Sequence, residues 1–266
     1  MRISVRLRAN FLWRPLMIKS LFLRTALGAV IGAGLMTLGA APAAASVADG
    51  VAQIQDGKYA DAMRTFKKEA AKDNGDAMYY IGDMLRSGLG QKSAPLEATF
   101  WWEKGAYLGN EKCQIALSHA YRNGIGVKLD ARQAMIWDRE AAKNGSAIAF
   151  KNLGDYFATG NGVEIDSKEA AKWYYRASKG GFPAGYVALA NLLKDGDGVE
   201  KNPVAAYVLY EAASKPVKNF EPERNAAADA RLLGHKLSAA DLERAKKLTV
   251  EEVLESLERV GEDQKK

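Results

Sequence analysis

Glycine pairs recur along this chain at a fixed step of 36 residues: Gly88/Gly90, Gly124/Gly126, Gly160/Gly162 and Gly196/Gly198. A period held without a slip through four copies means that one supersecondary unit is repeated and stacked on itself. Other columns keep the same step. A large side chain falls at Trp101, Trp137, Trp173 and Leu209, and alanine at Ala98, Ala134, Ala170 and Ala206. Small residues recur at Gly82, Ser118, Gly154 and Ala190, and again at Gly105, Ala141, Ala177 and Ala213.

Within one period the spacing predicts two helices. Leu153, Tyr156 and Phe157 stand at i, i+3 and i+4 and share a face, and Gly154 beside them lets a neighbouring helix come close. Gly160-Asn161-Gly162 ends that helix, because glycine accepts the left-handed conformation of a C-terminal cap; Val163 then folds back over the helix end. The next helix opens on a side-chain cap, Asp130 with Gln133, Asp166 with Glu169, or Asn202 with Pro203 behind it. Ala170, Trp173, Tyr174 and Ala177 give this second helix its expected buried stripe. One such hairpin buries too little apolar surface to stand alone, so the hairpins must stack.

The pattern Leu-Gly-x-x-Tyr/Phe-x-x-Gly-x-Gly-Val-x-x-Asp-x-x-x-Ala-x-x-Trp-Tyr-x-x-Ala resembles the Sel1-like repeat, a relative of the tetratricopeptide repeat. Residues 153–177 follow it almost letter for letter, and 77–110, 113–145 and 184–213 are good copies. The resemblance implies an all-α, right-handed α/α superhelical solenoid of stacked hairpins. Residues 46–75 read as a degenerate first hairpin, 76–216 as four repeats, 217–260 as C-terminal capping helices and 261–266 as a disordered tail. Two departures stand out in the first clear repeat. Gln91 replaces the usual Val and Ala94 replaces the capping Asp, so a shifted loop is expected there.

The net charge of +6 does not point to nucleic acid. Residues 1–45 hold Arg2, Arg6, Arg8, Arg14, Lys19 and Arg24 with no acid, which leaves 32 of the 38 basic residues against 32 acidic ones elsewhere. A phosphate backbone would find no net field to draw it in. The leader itself reads as an export signal: a basic stretch, an apolar Gly/Ala-rich run from Ala26 to Gly39, then small residues up to Ala45-Ser46. Cleavage is expected after Ala45, with Ala48 as the next choice and Met17 as an alternative start. An uncleaved anchor over Ala26 to Ala45 is the rival reading, disfavoured by weak hydrophobicity. The expected location is periplasmic or secreted, with no stable membrane insertion once the signal is removed.

The inventory for catalysis is poor. The chain has two histidines, His119 and His235, in different periods, with no His/Cys metal spacing and no nucleophile elbow. The Gly-x-Gly loops lack the Lys-Ser/Thr of a phosphate loop. Cys113 shares a column with Ala77, Ala149 and Gly185, which calls for a small buried side chain more than a reactive thiol. No enzyme activity, cofactor or metal is therefore expected. What remains is a surface. The resemblance implies that the first helix of each hairpin lines a concave, partner-binding face. The columns that break from the core pattern there supply Tyr79, Asp83, Arg86, His119, Arg122, Asp155, Asn191 and Lys194 as candidate contacts. The expected function is that of a monomeric adaptor holding another protein, and the resemblance leaves two alternatives: an immunity protein against a secreted toxin, or an envelope protein that contacts peptidoglycan or another glycan.

Overall fold

Apolar residues at helical spacing build thirteen helices among the described residues. The computed structural model describes residues 46–217 and 220–263; the expected leader, 1–45, lies outside them. Five hairpins follow in chain order: α1 (Val47–Gln55) with α2 (Tyr59–Ala70), α3 (Gly75–Ser87) with α4 (Pro95–Tyr107), and α5 (Glu111–Asn123) with α6 (Ala131–Lys143). They continue with α7 (Ala147–Thr159) and α8 (Ser167–Lys179), then α9 (Pro183–Asp195) and α10 (Pro203–Ala213). Each helix packs on the next, from α1 through to α11, so the chain is an α/α solenoid of stacked hairpins. Helices α11 (Ala226–Gly234), α12 (Ala239–Lys247) and α13 (Val250–Asp263) close over α10. No described helix is long and apolar enough to cross a membrane.

Two kinds of turn alternate. Inside a hairpin, Gly88, Gly124, Gly160 and Gly196 cap the first helix with φ between +67° and +80°. The second glycine of each pair does a different job. A Cβ on Gly90, Gly126, Gly162 or Gly198 would strike Tyr59, Pro95, Ala131 or Ser167. Each of these is the first residue of the second helix in the preceding hairpin. The loop of every repeat is thus seated on the start of the one before it. Between hairpins, Asp73, Gly109, Gly145 and Gly181 are all left-handed, and Asn74, Asn110 and Ser146 cap the following helix through their side chains.

Three expectations need correction. The loop with Gln91 and Ala94 is not shifted: Ala94 N donates to Leu85 O at 2.9 Å, as Asp130 N does to Tyr121 O and Asp166 N to Phe157 O. Backbone geometry fixes that loop, so losing the side-chain cap leaves it in place. The tryptophan column is not the core column either. Trp101, Trp137 and Trp173 are half-buried, and the buried position is the next residue, Trp102, Asp138, Tyr174 or Tyr210. Each of these faces the small residue twenty positions earlier, and a Cβ on Gly82 or Gly154 would run into the Trp102 or Tyr174 ring. Lastly, α13 continues through Gly261 to Asp263, where a tail was expected. Thr249 and Glu252 form its capping box, and Val253 and Leu254 are buried beneath it, so the helix is nucleated and anchored well before Gly261.

Candidate functional site

The first helices α3, α5, α7 and α9 each carry part of the predicted strip. Arg86, His119 and Asn191 are exposed, and Tyr79, Asp83, Arg122, Asp155 and Lys194 are half-buried. The core holds this strip from below. Tyr174 donates its hydroxyl proton to Asp155 Oδ1 at 2.9 Å, Tyr210 to Asn191 Oδ1 at 2.5 Å, and Trp102 Nε1 to Tyr79 O at 3.2 Å. Neighbours add pairs along the helices: Arg86 to Asp83 and Lys151 to Asp155, each at 2.7 Å, and Lys194 to Asp195 at 3.5 Å. Exposed pairs of this kind contribute about 0.3–0.5 kcal/mol each, so they orient the side chains more than they stabilise the fold.

The N-terminal half of the strip is cationic. Burial lowers the His119 pKa, and the positive charges of Arg122 and Arg86 lower it further. Arg86, His119 and Arg122 thus converge from α3 and α5. Asp155 and Asn191 lie further along, each tied to its own tyrosine. Among the described residues no group of three or more His, Cys, Asp and Glu side chains is placed to hold a metal. Cys113 is fully buried, its Sγ lies 3.4 Å from Gly75 O, and burial pushes its pKa up to about 12. At neutral pH it is a protonated thiol that fills space.

Asp138 is the residue that sequence reasoning overlooked. Its carboxylate is fully buried where the other repeats put an aromatic ring. Ser118 donates to Oδ2 at 2.6 Å, Tyr156 to Oδ2 at 3.0 Å, and Asn152 to Oδ1 at 2.9 Å. The signal was present in the small-residue column, where Ser118 replaces the expected Gly or Ala. Apolar packing is interrupted here. Leu153, Tyr156, Ala134 and Met135 form a small cluster of their own between two larger ones. Helix α3 packs on α5 and α7 on α9, while α5 and α7 are the loosest of these neighbouring pairs.

Burial raises the Asp138 pKa, against its three hydrogen bonds and the nearby Arg122 charge. The folded state then holds this proton more tightly than the unfolded chain, and stability falls as pH rises from about 4 through the folded pKa. Asp138→Asn should therefore gain stability relative to wild type over that window and hold a constant difference above it. Urea melts of both proteins between about pH 4 and pH 8 read this directly. A wild type that gained on the variant with rising pH would mean that the donors outweigh burial.

The Sel1 repeat family model matches residues 75–110, 112–146, 151–182 and 183–215, just over half of the chain. A search of the curated proteins finds no match. Among solved structures, a Sel1 repeat protein from Oxalobacter formigenes is 30% identical with a TM-score of 0.57, over 62% of this chain and 66% of that one. A protective antigen present in uropathogenic Escherichia coli strains, displaying an SLR fold, is 25% identical with a TM-score of 0.46, over 79% of this chain and 54% of that one.

Proposed function

Because the chain belongs to the Sel1 repeat family, we propose that it is a non-catalytic periplasmic adaptor that captures another protein along the first-helix strip. One observation carries this reading. Successive repeats present polar and charged side chains at the same register, and core tyrosines hold Asp155 and Asn191 of the last two in place from below. A surface that is pre-ordered in this way loses little entropy on binding, which is what an adaptor needs of a contact face. The leader in residues 1–45 and the electroneutral remainder support an exported protein that meets proteins more readily than nucleic acid.

Tyr79, Arg86 and Arg122 are the anchors, since Tyr and Arg dominate the energetics of such surfaces. The variant Y79A/R86A/R122A should lose capture from periplasmic extract at least tenfold while keeping its helical circular dichroism and melting temperature. Capture that survives in the variant would refute the strip. Retention on purified sacculi in place of protein capture would point to a glycan ligand.

A further inference from the structure

The outer face of the second helices changes character from repeat to repeat, and the changes follow what covers it. In the third repeat the face is open, and its positions are Lys168 and Lys172, both exposed. In the fourth the equivalent positions are Val204 and Val208, only 4% and 6% exposed. They are buried in one cluster with Ala245 of α12 and Val253 and Leu254 of α13. In the first repeat the same positions are Leu96 and Phe100, which are 71% and 56% exposed. Tyr107 on α4 and Ile136, the Phe100 equivalent on α6, extend this apolar surface. The chain thus places charge on this face where it is open and apolar groups where a helix lies on it. Its first repeat carries the covered composition without a cover among the described residues, and its second keeps Ile136 beside an exposed Arg132.

The lid also shows what kind of helix fits. Helix α13 turns Val253 and Leu254 inward, and its Glu258 reaches Lys179 at 3.3 Å. That lysine lies over the Tyr175 ring, 5.6 Å from its centre. The same arrangement of cation and aromatic recurs on α4. Lys104 Nζ sits 5.5 Å from the Phe100 ring centre and 5.1 Å from that of Trp101, and it makes no ion pair among the described residues. The position that glutamate fills at Lys179 is open at Lys104.

We propose that the outer face of α4 and α6 docks an amphipathic helix of another protein, with an apolar stripe for Leu96, Phe100 and Ile136 and acidic flanks for Lys104. This surface is separate from the first-helix strip, so each can fail without the other. The probe is a free, dye-labelled peptide with the sequence of residues 249–263, titrated with the full chain and read by fluorescence anisotropy. Wild type should bind it saturably. The variant L96K/F100K installs the residues that the third repeat uses and should bind at least tenfold more weakly with an unchanged melting temperature. I136K, which matches Lys172, gives an independent second variant. A peptide with its glutamates changed to Gln should also bind more weakly. Equal binding to L96K/F100K would mean that the peptide exchanges with α13 at the lid, and would overturn the proposal. No binding to wild type would overturn it too. A dimer that L96K/F100K converts to monomer in light scattering would assign the face to a second copy instead.

Discussion

Replacing Asp138 with Leu should cost on the order of 3–5 kcal/mol, and refitting all four positions of the seam with apolar groups should recover all of it. The single change leaves Ser118, Asn152 and Tyr156 as buried donors without an acceptor, each costing about 1–3 kcal/mol, offset in part by the carboxylate desolvation it removes. The next seam along solves the same packing problem with a ring, using Gly154, Tyr174, Ala188 and Leu192 at the corresponding positions, with Asp155 accepting from the Tyr174 hydroxyl. The variant S118G/D138F/N152A/Y156L transplants the apolar part of that solution. It removes every orphan donor and gives the new ring the backbone clearance that Gly154 gives Tyr174. Replacing a whole buried polar network with matched apolar groups is often neutral or stabilising by about 1–4 kcal/mol. The fourfold variant should therefore melt above wild type in urea at neutral pH, and the four effects should be far from additive. A fourfold variant no more stable than D138L would show that this seam depends on polar contacts that packing cannot replace.

The second large effect concerns two glycines with the same backbone sign and different surroundings. Gly145 has φ +84° and nothing within 4 Å of where a Cβ would sit. Gly145→Ala should cost only the left-handed strain, about 1–2 kcal/mol. Gly126 has φ +67°, but its Cβ would press into the backbone of Pro95 and the Thr99 hydroxyl. That hydroxyl lies 2.9 Å from both Pro95 O and Ile125 O, tying the loop to α4. Gly126→Ala should cost about 3–4 kcal/mol, the strain plus the displacement of a packed seat. Denaturant melts of the two variants side by side make the comparison. Equal losses would remove the seating contact from the account of how repeats stack.

Much of this fold was legible because the period reports on the backbone. Gly88 and its three equivalents require a left-handed cap whatever side chains surround them, so hairpin boundaries could be read directly. The core column was harder. Trp101-Trp102, Trp173-Tyr174 and Leu209-Tyr210 place two large residues side by side, about 100° apart on the helix, and either could face inward. The uniform column drew attention, whereas the buried one contains an Asp that looks like a surface residue. Only the paired small column marks it, since Ser118 opposes Asp138 while Gly82 and Gly154 oppose rings. The strip residues were readable by register. Their anchoring by Tyr174 and Tyr210 was not, because those hydrogen bonds join helices nineteen residues apart.

Asp138 also bears on the order of the repeats. A loop seated on the helix before it fits any copy of the unit, so most junctions in this solenoid would accept one another. The junction at Asp138 would not. Its carboxylate keeps Ser118 of its own hairpin but finds its other two donors only when Asn152 and Tyr156 follow; beside the first helix of another repeat it would meet Ala116 and Ala120, or Ala188 and Leu192. A chain that folded one repeat out of step, or traded hairpins with a second molecule out of step, would bury a carboxylate with two of its three hydrogen bonds unmade. One matched key in the middle of a stack of near-identical parts lets the rest be counted from it in both directions.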